Sequence, residues 1–154
     1  MSEHKALVEW SFTGGEFLKG RYSREHRWHF DGGLEVPASP SPAVVPAPYS
    51  NAAHVDPEEA FVASIASCHL LTFLWVASKA GFHVSQYQDA AVGNMTKNDK
   101  GVPWISSVVL SPKIQYQGPA PSRGRALELH EQAHDQCFIS NSVKTQITVR
   151  PAEE

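Results

Sequence analysis

"VDPEEAFVASIASCHLLTFLWVASKAGF", residues 55–82, decides the fold. Asp56 brings a short side-chain acceptor for the free N–H groups of a helix start. Pro57 fits the first helical position, and Glu59 stands at capping-box spacing from Asp56. Gly81 supplies the stop, because the left-handed conformation that ends many helices costs glycine little. The stretch therefore predicts a helix over roughly 57–80. It is apolar on most faces, which predicts a long buried central helix. Ser64, Ser67, Cys68 and His69 interrupt the apolar run and make it poor material for a membrane span.

Before this helix, "HKALVEWSFTGG" alternates like a strand and ends at Gly14-Gly15, a turn signal. Tyr22, Trp28 and Phe30 mark a second strand and "LEVPAS" a third, which together make an antiparallel meander. Residues 37–50, "PASPSPAVVPAPYS", hold five prolines. Proline removes backbone donors, so this is an extended connection, read most simply as a plain linker and alternatively as a loop closing over a site. After the helix, "HVSQYQDAAVGNMTKN" and "VPWISSVVLSPKIQYQ" read as two strands joined through "NDKG", a hairpin signal. "RGRALELHEQAHDQC" predicts a second helix with Ala126, Leu129, Ala133 and Cys137 roughly on one face, and "VKTQITVR" a closing strand. The order β-β-β-α-β-β-α-β defines an α+β protein with antiparallel sheets, read as one domain over residues 1–154.

The 154 residues suffice for a real core, and 42% apolar content argues against disorder. A formal charge of −3 with scattered Lys and Arg leaves no electrostatic footprint for nucleic acid. The polar start "MSEHKALVEW" lacks the apolar segment of a signal peptide, so the expected location is the cytoplasm. No membrane partner is expected. In a reducing compartment a lasting structural disulfide is not expected, and two cysteines there are inert, catalytic or metal-binding.

Those two cysteines are Cys68, followed by His69, and Cys137 in "AHDQCFISNS". Both could be core residues, since a free cysteine packs as a small hydrophobe. A reactive cysteine must be a thiolate, and Cys68 would lie about three turns into its helix, beyond the reach of the helix dipole. A cation must then lower its pKa. Neighbours on a helix point about 100° apart, so His69 reads as a packed or hydrogen-bonded residue. Arginine keeps its charge when desolvated, and Arg21, Arg24 and Arg27 form the dense cluster. Arg24 and Arg27 are three apart, and on a strand only one of them can point inward. Zinc held by Cys68, His134 and Cys137 is the competing reading, with no CxxC or HxxxH spacing behind it.

"DPEEAFVASIASCH" and "AHDQCFISNS", together with "YSREHRWHFDGG" and "VPASPSP", resemble the OsmC/Ohr family of osmotically inducible and organic hydroperoxide resistance proteins, on its OsmC-like side. The resemblance covers roughly residues 20–148. It implies an intertwined α+β homodimer and a cysteine-dependent peroxidase acting on organic hydroperoxides, without metal or other cofactor. It further implies Cys68 as the peroxidatic cysteine, Cys137 as the resolving one, Arg24 as the family arginine with Arg27 as fallback, and Glu58 as its acidic partner. An external dithiol would reduce the pair. Phe138 stands where the hydroperoxide-resistance side carries proline after the second cysteine. Ten helical residues rise about 15 Å, so Glu58 would act on Cys68 through Arg24 or from a neighbouring subunit. Phe61, Leu71, Phe73 and Trp75 could line a pocket for an apolar peroxide, or simply be core. A non-catalytic member that binds a small ligand or reports oxidation is the alternative function.

Overall fold

A computed structural model describes residues 1–152. The chain divides into two compact units, residues 1–60 and 61–154.

The first unit is built on a three-stranded antiparallel sheet of β1 (Ala6–Glu9), β2 (His26–Phe30) and β3 (Glu35–Ala38), the expected meander. Trp28 stands opposite Val8 on one side and Val36 on the other. Between β1 and β2 the chain makes a short 3-10 turn at Phe17–Lys19 and stops at Gly20, whose φ of 72° is left-handed. Trp10, Phe12, Phe17 and Tyr22 cluster on this excursion, with Phe17 and Tyr22 stacked at 4.5 Å between ring centroids. The proline-rich stretch is not a linker. A linker parts its two ends, whereas here Ser39 Oγ accepts the Asn51 N–H at 2.8 Å and the Ser39 N–H donates to Val55 O at 3.0 Å. Residues 39–51 therefore form a loop closed at its base by the buried Ser39.

Helix α1 (Pro57–Lys79) starts in the first unit and runs into the second. Its start is the capping box written in the sequence. Asp56 Oδ1 accepts the Glu59 N–H at 2.8 Å, and Glu59 Oε2 accepts the Asp56 N–H at 3.3 Å. The second unit adds β4 (Val84–Asp89), β5 (Val92–Lys97), β6 (Pro103–Leu110), β7 (Pro112–Tyr116), α2 (Arg123–Gln136) and β8 (Gln146–Val149). The two long strands expected on either side of "NDKG" are four short ones. β4 pairs with β7, and β5 with β6, both antiparallel. The break falls at the same level on both arms: Asp89 stands opposite Pro112, and Val92 opposite Val109. Pro112 has no N–H to give the ladder, and Asp89 Oδ1 takes the Ser111 N–H at 2.7 Å instead of leaving it to a neighbouring strand. The hairpin thus splits into a β4–β7 ribbon and a β5–β6–β8 sheet. β8 joins that sheet parallel to β6, the exception among otherwise antiparallel pairs.

The split gives α1 two different floors. Its first half packs Ile65 onto Val108 and Leu110 of β6. Its second half packs Phe73, Val76 and Ala77 against Leu129 and Ala133 of α2, with Tyr87 and Ile114 of the ribbon beside them. Gly93 on β5 lets the helix approach, since a Cβ there would lie 2.5 Å from a Val62 methyl. Burial is one-sided. Ile65, His69, Phe73, Val76 and Ala77 are buried, whereas Leu71, Leu74 and Trp75 are exposed. The expected long helix is buried along one face, where β6, α2 and the ribbon cover it. The helix is also more apolar than its interruptions implied. With a mean hydropathy of 1.8 it is long and apolar enough to cross a bilayer by length and composition alone. Its buried face packs instead on β6 and α2.

Candidate active site

Cys68 lies on α1 between the two floors, half-buried, with Ile65 before it and Phe73 after it. Cys137 is the C-cap of α2 and is fully buried. Both are free thiols, and successive amides of one turn reach them: Ile139 N–H faces Cys68 Sγ and Ser140 N–H faces Cys137 Sγ. Two residues 69 positions apart in sequence are thus brought together within the second unit.

What holds them is the turn that follows α2. Cys137 leaves the helix with φ −70° and ψ 117°, so the chain swings out of the helical path. The Ile139 N–H then points at Cys68 Sγ at 3.5 Å, and the Ser140 N–H at Cys137 Sγ at 3.4 Å. Asn141 braces the turn: its Nδ2 donates to the carbonyls of Asp135 and Cys137, both at 2.9 Å. Ser142 Oγ donates to Phe138 O at 2.7 Å. The Ile139 side chain packs on the cluster of Ile65, Val108 and Leu110, which ties the turn to the floor under α1. Sequence reasoning assigned nothing to Ile139–Ser142. The run of Ser, Asn and Ser after Cys137 was the available signal, because such side chains bond to nearby backbone and fix turns.

The Cys68 thiol has its pKa raised. Burial contributes most, then the hydrogen bond and charge of Cys137, while the Ile139 and Phe138 amides pull the other way. Without a further cation the thiol form is favoured.

His69 is packed and hydrogen-bonded. It is fully buried, and its Nε2 lies 3.1 Å from His130 Nδ1 of α2. The rings stack at 5.4 Å, and Phe73 stacks on His130 at 4.2 Å. One proton serves the shared bond. If His69 Nε2 carries it, the buried and unpartnered His69 Nδ1 is a bare acceptor instead of an orphaned donor, which is the cheaper arrangement. Burial holds both imidazoles neutral, at about 4. Among the described residues no group of three or more His, Cys, Asp or Glu side chains could hold a metal ion, so His134 and the two cysteines do not converge on one.

The other expected site residues lie in the first unit. Arg24 precedes β2 instead of sitting on it, so strand alternation does not set its direction. Its backbone N–H donates to Tyr49 O at 3.1 Å. Its guanidinium donates to Tyr22 O at 3.0 Å and Gly20 O at 3.2 Å and stacks over the Tyr22 ring. Arg27 is exposed on β2 and ion-pairs with Glu35. Glu58 is half-buried in the first turn of α1, and among the described residues its carboxylate forms no ion pair with Arg24. The four apolar candidates for a peroxide pocket do not share one. Phe73 is core and Phe61 packs on the Ile65 cluster, while Leu71 and Trp75 face solvent.

An α+β chain that closes two free thiols over one helix defines a paired-cysteine protein. The chain belongs to the OsmC family: the model of OsmC-like proteins matches residues 50–152. An OsmC-like protein of unknown function from Vibrio cholerae is 45% identical, with 99% of this chain and 100% of that one covered and a TM-score of 0.95. An organic hydroperoxide resistance protein from Elizabethkingia anophelis shares the fold at 21% identity, with a TM-score of 0.69 over 97% of this chain and 95% of its own. A further Vibrio cholerae structure, described as a putative organic hydroperoxide resistance protein with captopril in one of its active sites, is 22% identical, with a TM-score of 0.69 over 98% and 92% of the two chains. No curated protein matches the chain.

Proposed function

We propose that the protein is a thiol peroxidase that reduces organic hydroperoxides to alcohols. The observation that carries this reading is the convergence of two reduced thiols on one turn, one half-buried on α1 and one fully buried at the end of α2. The Cys68 thiolate attacks the distal oxygen of ROOH, and the O–O bond breaks. The alkoxide takes up a proton and leaves as the alcohol, with Cys68 as sulfenic acid. The Cys137 thiol attacks that sulfur, water leaves, and a Cys68–Cys137 disulfide protects the site from overoxidation. An external dithiol takes the disulfide, returning two thiols and becoming a disulfide itself. No metal or organic cofactor enters the cycle.

Because burial raises the Cys68 pKa, the reading needs a cation at the sulfur. Arg24 is assigned that role, stabilising the thiolate and the developing alkoxide, with Glu58 orienting the guanidinium in a homodimer. Arg24 would have to exchange its Gly20 and Tyr22 carbonyls for the sulfur and the carboxylate. The organic hydroperoxide resistance proteins among the structural neighbours support the substrate class.

Multiple-turnover consumption of an alkyl hydroperoxide with dithiothreitol tests the proposal. Cys68→Ser should abolish turnover, and Cys137→Ser should allow one oxidation and then stall. A wild-type protein that is oxidised once and never turns over would instead be a redox-reporting protein.

A further inference from the structure

We propose that Asn141 is a positioning residue for disulfide closure: its carboxamide fixes the path by which the chain leaves α2 at Cys137, and so aims the Cys137 sulfur at oxidised Cys68. The proposal deepens the peroxidase reading and rests on it for the identity of the oxidant. The positioning itself does not depend on which oxidant acts.

One turn serves both sulfurs, but each side of it has its own anchor. On the Cys68 side the Ile139 N–H reaches Sγ at 3.5 Å, and the Ile139 side chain is packed on Ile65, Val108 and Leu110. On the Cys137 side the Ser140 N–H reaches Sγ at 3.4 Å, and the anchor is Asn141. Its Nδ2 donates to Asp135 O and to Cys137 O, both at 2.9 Å, and its backbone N–H donates to Cys137 O at 3.1 Å. The carboxamide thus spans the point where Cys137 turns out of the helix, with one bond to the last turn of α2 and one to the residue that leaves it. A carboxamide puts two N–H donors on one short arm, whereas an aspartate of the same shape offers only acceptors.

This place matters to the chemistry. Cys137 stands at the C-terminal end of α2, where carbonyls lack helical partners and carry partial negative charge. Closure needs the Cys137 sulfur as an anion there. The thiol gives up its proton, the thiolate attacks the Cys68 sulfenic sulfur, the S–O bond breaks, and the hydroxide leaves with a proton as water. Asn141 covers the Asp135 and Cys137 carbonyls with N–H groups and keeps the turn from swinging. A sulfenic acid left open meets a second hydroperoxide, which becomes a second alcohol while Cys68 becomes sulfinic acid. Since the Ile139 anchor at Cys68 does not pass through Asn141, loss of the carboxamide should fall on closure and spare the first oxidation.

Asn141 is exposed, so its replacement opens no cavity. Asn141→Ala removes both side-chain donors. Asn141→Asp keeps the shape, removes the donors and sets a carboxylate against two carbonyls. Two neutral hydrogen bonds at the low end of their worth correspond to closure roughly five- to tenfold slower in Asn141→Ala, and slower again in Asn141→Asp. The experiment mixes reduced protein with excess tert-butyl hydroperoxide, quenches with dimedone and iodoacetamide, and reads Cys68 by mass as sulfenic acid, sulfinic acid or disulfide. The expected result is an unchanged rate of first oxidation, slower disulfide and more sulfinic acid. A role in stability alone lowers the urea midpoint and leaves that partition in place. The wild-type partition in Asn141→Asp, or equal slowing of both steps, overturns the proposal. Should neither variant fold, the Asn141 side-chain amide protons of the unaltered protein should exchange more slowly than a free carboxamide and shift when the disulfide closes. Exchange at the free rate overturns the proposal as well. Diamide, reduced to its hydrazine, closes the same disulfide without peroxide. Closure by diamide that is slowed in the variants of a protein inert to hydroperoxide keeps the positioning role and rejects the peroxidase reading. Peroxide turnover with closure unchanged in both variants does the reverse.

Discussion

Acidification should loosen this fold through the stacked imidazoles of His69 and His130. Both are neutral in the folded chain and held at about 4 by burial, against an ordinary value of 6.5. Between those two values the unfolded chain binds more protons than the folded one, so stability rises with pH across that window. Above 6.5 both states are neutral and the pair contributes no pH dependence. Below about 4 both states are protonated and the loss is complete. At 1.36 kcal/mol per unit, the gap amounts to about 3 kcal/mol for one ring. The two rings share one hydrogen bond, so their contributions do not simply add. The local slope should reach about 1.4 kcal/mol per pH unit for each ring that titrates in the unfolded chain alone. Urea unfolding followed by tryptophan fluorescence at pH 4.5, 5.5 and 7, at one protein concentration, measures it. His130→Phe should flatten the slope, because it keeps an aromatic ring on Phe73 and removes one titrating group. Stability that stays level from pH 7 to 4.5, or ring resonances of both histidines titrating near 6.5, would refute the reasoning.

Further outcomes follow from the same geometry. Phe73→Ala should cost about 3–5 kcal/mol in chemical denaturation, since it empties the contact between α1, His130 and the ribbon. Gly93→Ala drives a methyl into Val62 and should cost about 1–3 kcal/mol, and a second change, Val62→Ala, should restore much of it. Arg24→Ala should raise the pH at which Cys68 is alkylated, Glu58→Ala should do so less, and Arg27→Ala, whose residue pairs with Glu35, should do nothing. A shift in Arg27→Ala alone would move the cation assignment to Arg27, and no shift in any of the three would remove arginine from the mechanism.

The local signals were the legible ones. Asp56, Pro57 and Glu59 wrote the start of α1, because a cap is made by residues within one turn of each other. The meander, α2 and the closing strand followed from periodicity in the same way. What the sequence hid was non-local. The hairpin broke where Asp89 takes the Ser111 N–H across 22 positions, which no window of a single strand can reveal. The parallel docking of β8 on β6 likewise depends on a partner far along the chain. Cys68 and Cys137 could be named as a pair through resemblance, but the turn whose Ile139 and Ser140 amides face the two sulfurs was not legible. Arg24 was read on a strand from its aromatic neighbours, although β2 starts two residues later and Arg24 is held by carbonyls of the preceding excursion. His69 read as packed or hydrogen-bonded, but its partner His130 was hidden, since it lies 61 positions further on.

The central claim is that Cys68 and Cys137 form one redox pair. The reduced protein should be treated with one equivalent of an alkyl hydroperoxide, alkylated, digested and mapped by mass. The account predicts a peptide carrying the Cys68–Cys137 disulfide within one chain, one alcohol released per disulfide, and no free thiol. Two thiols recovered intact, or a bond found only between chains, would contradict it.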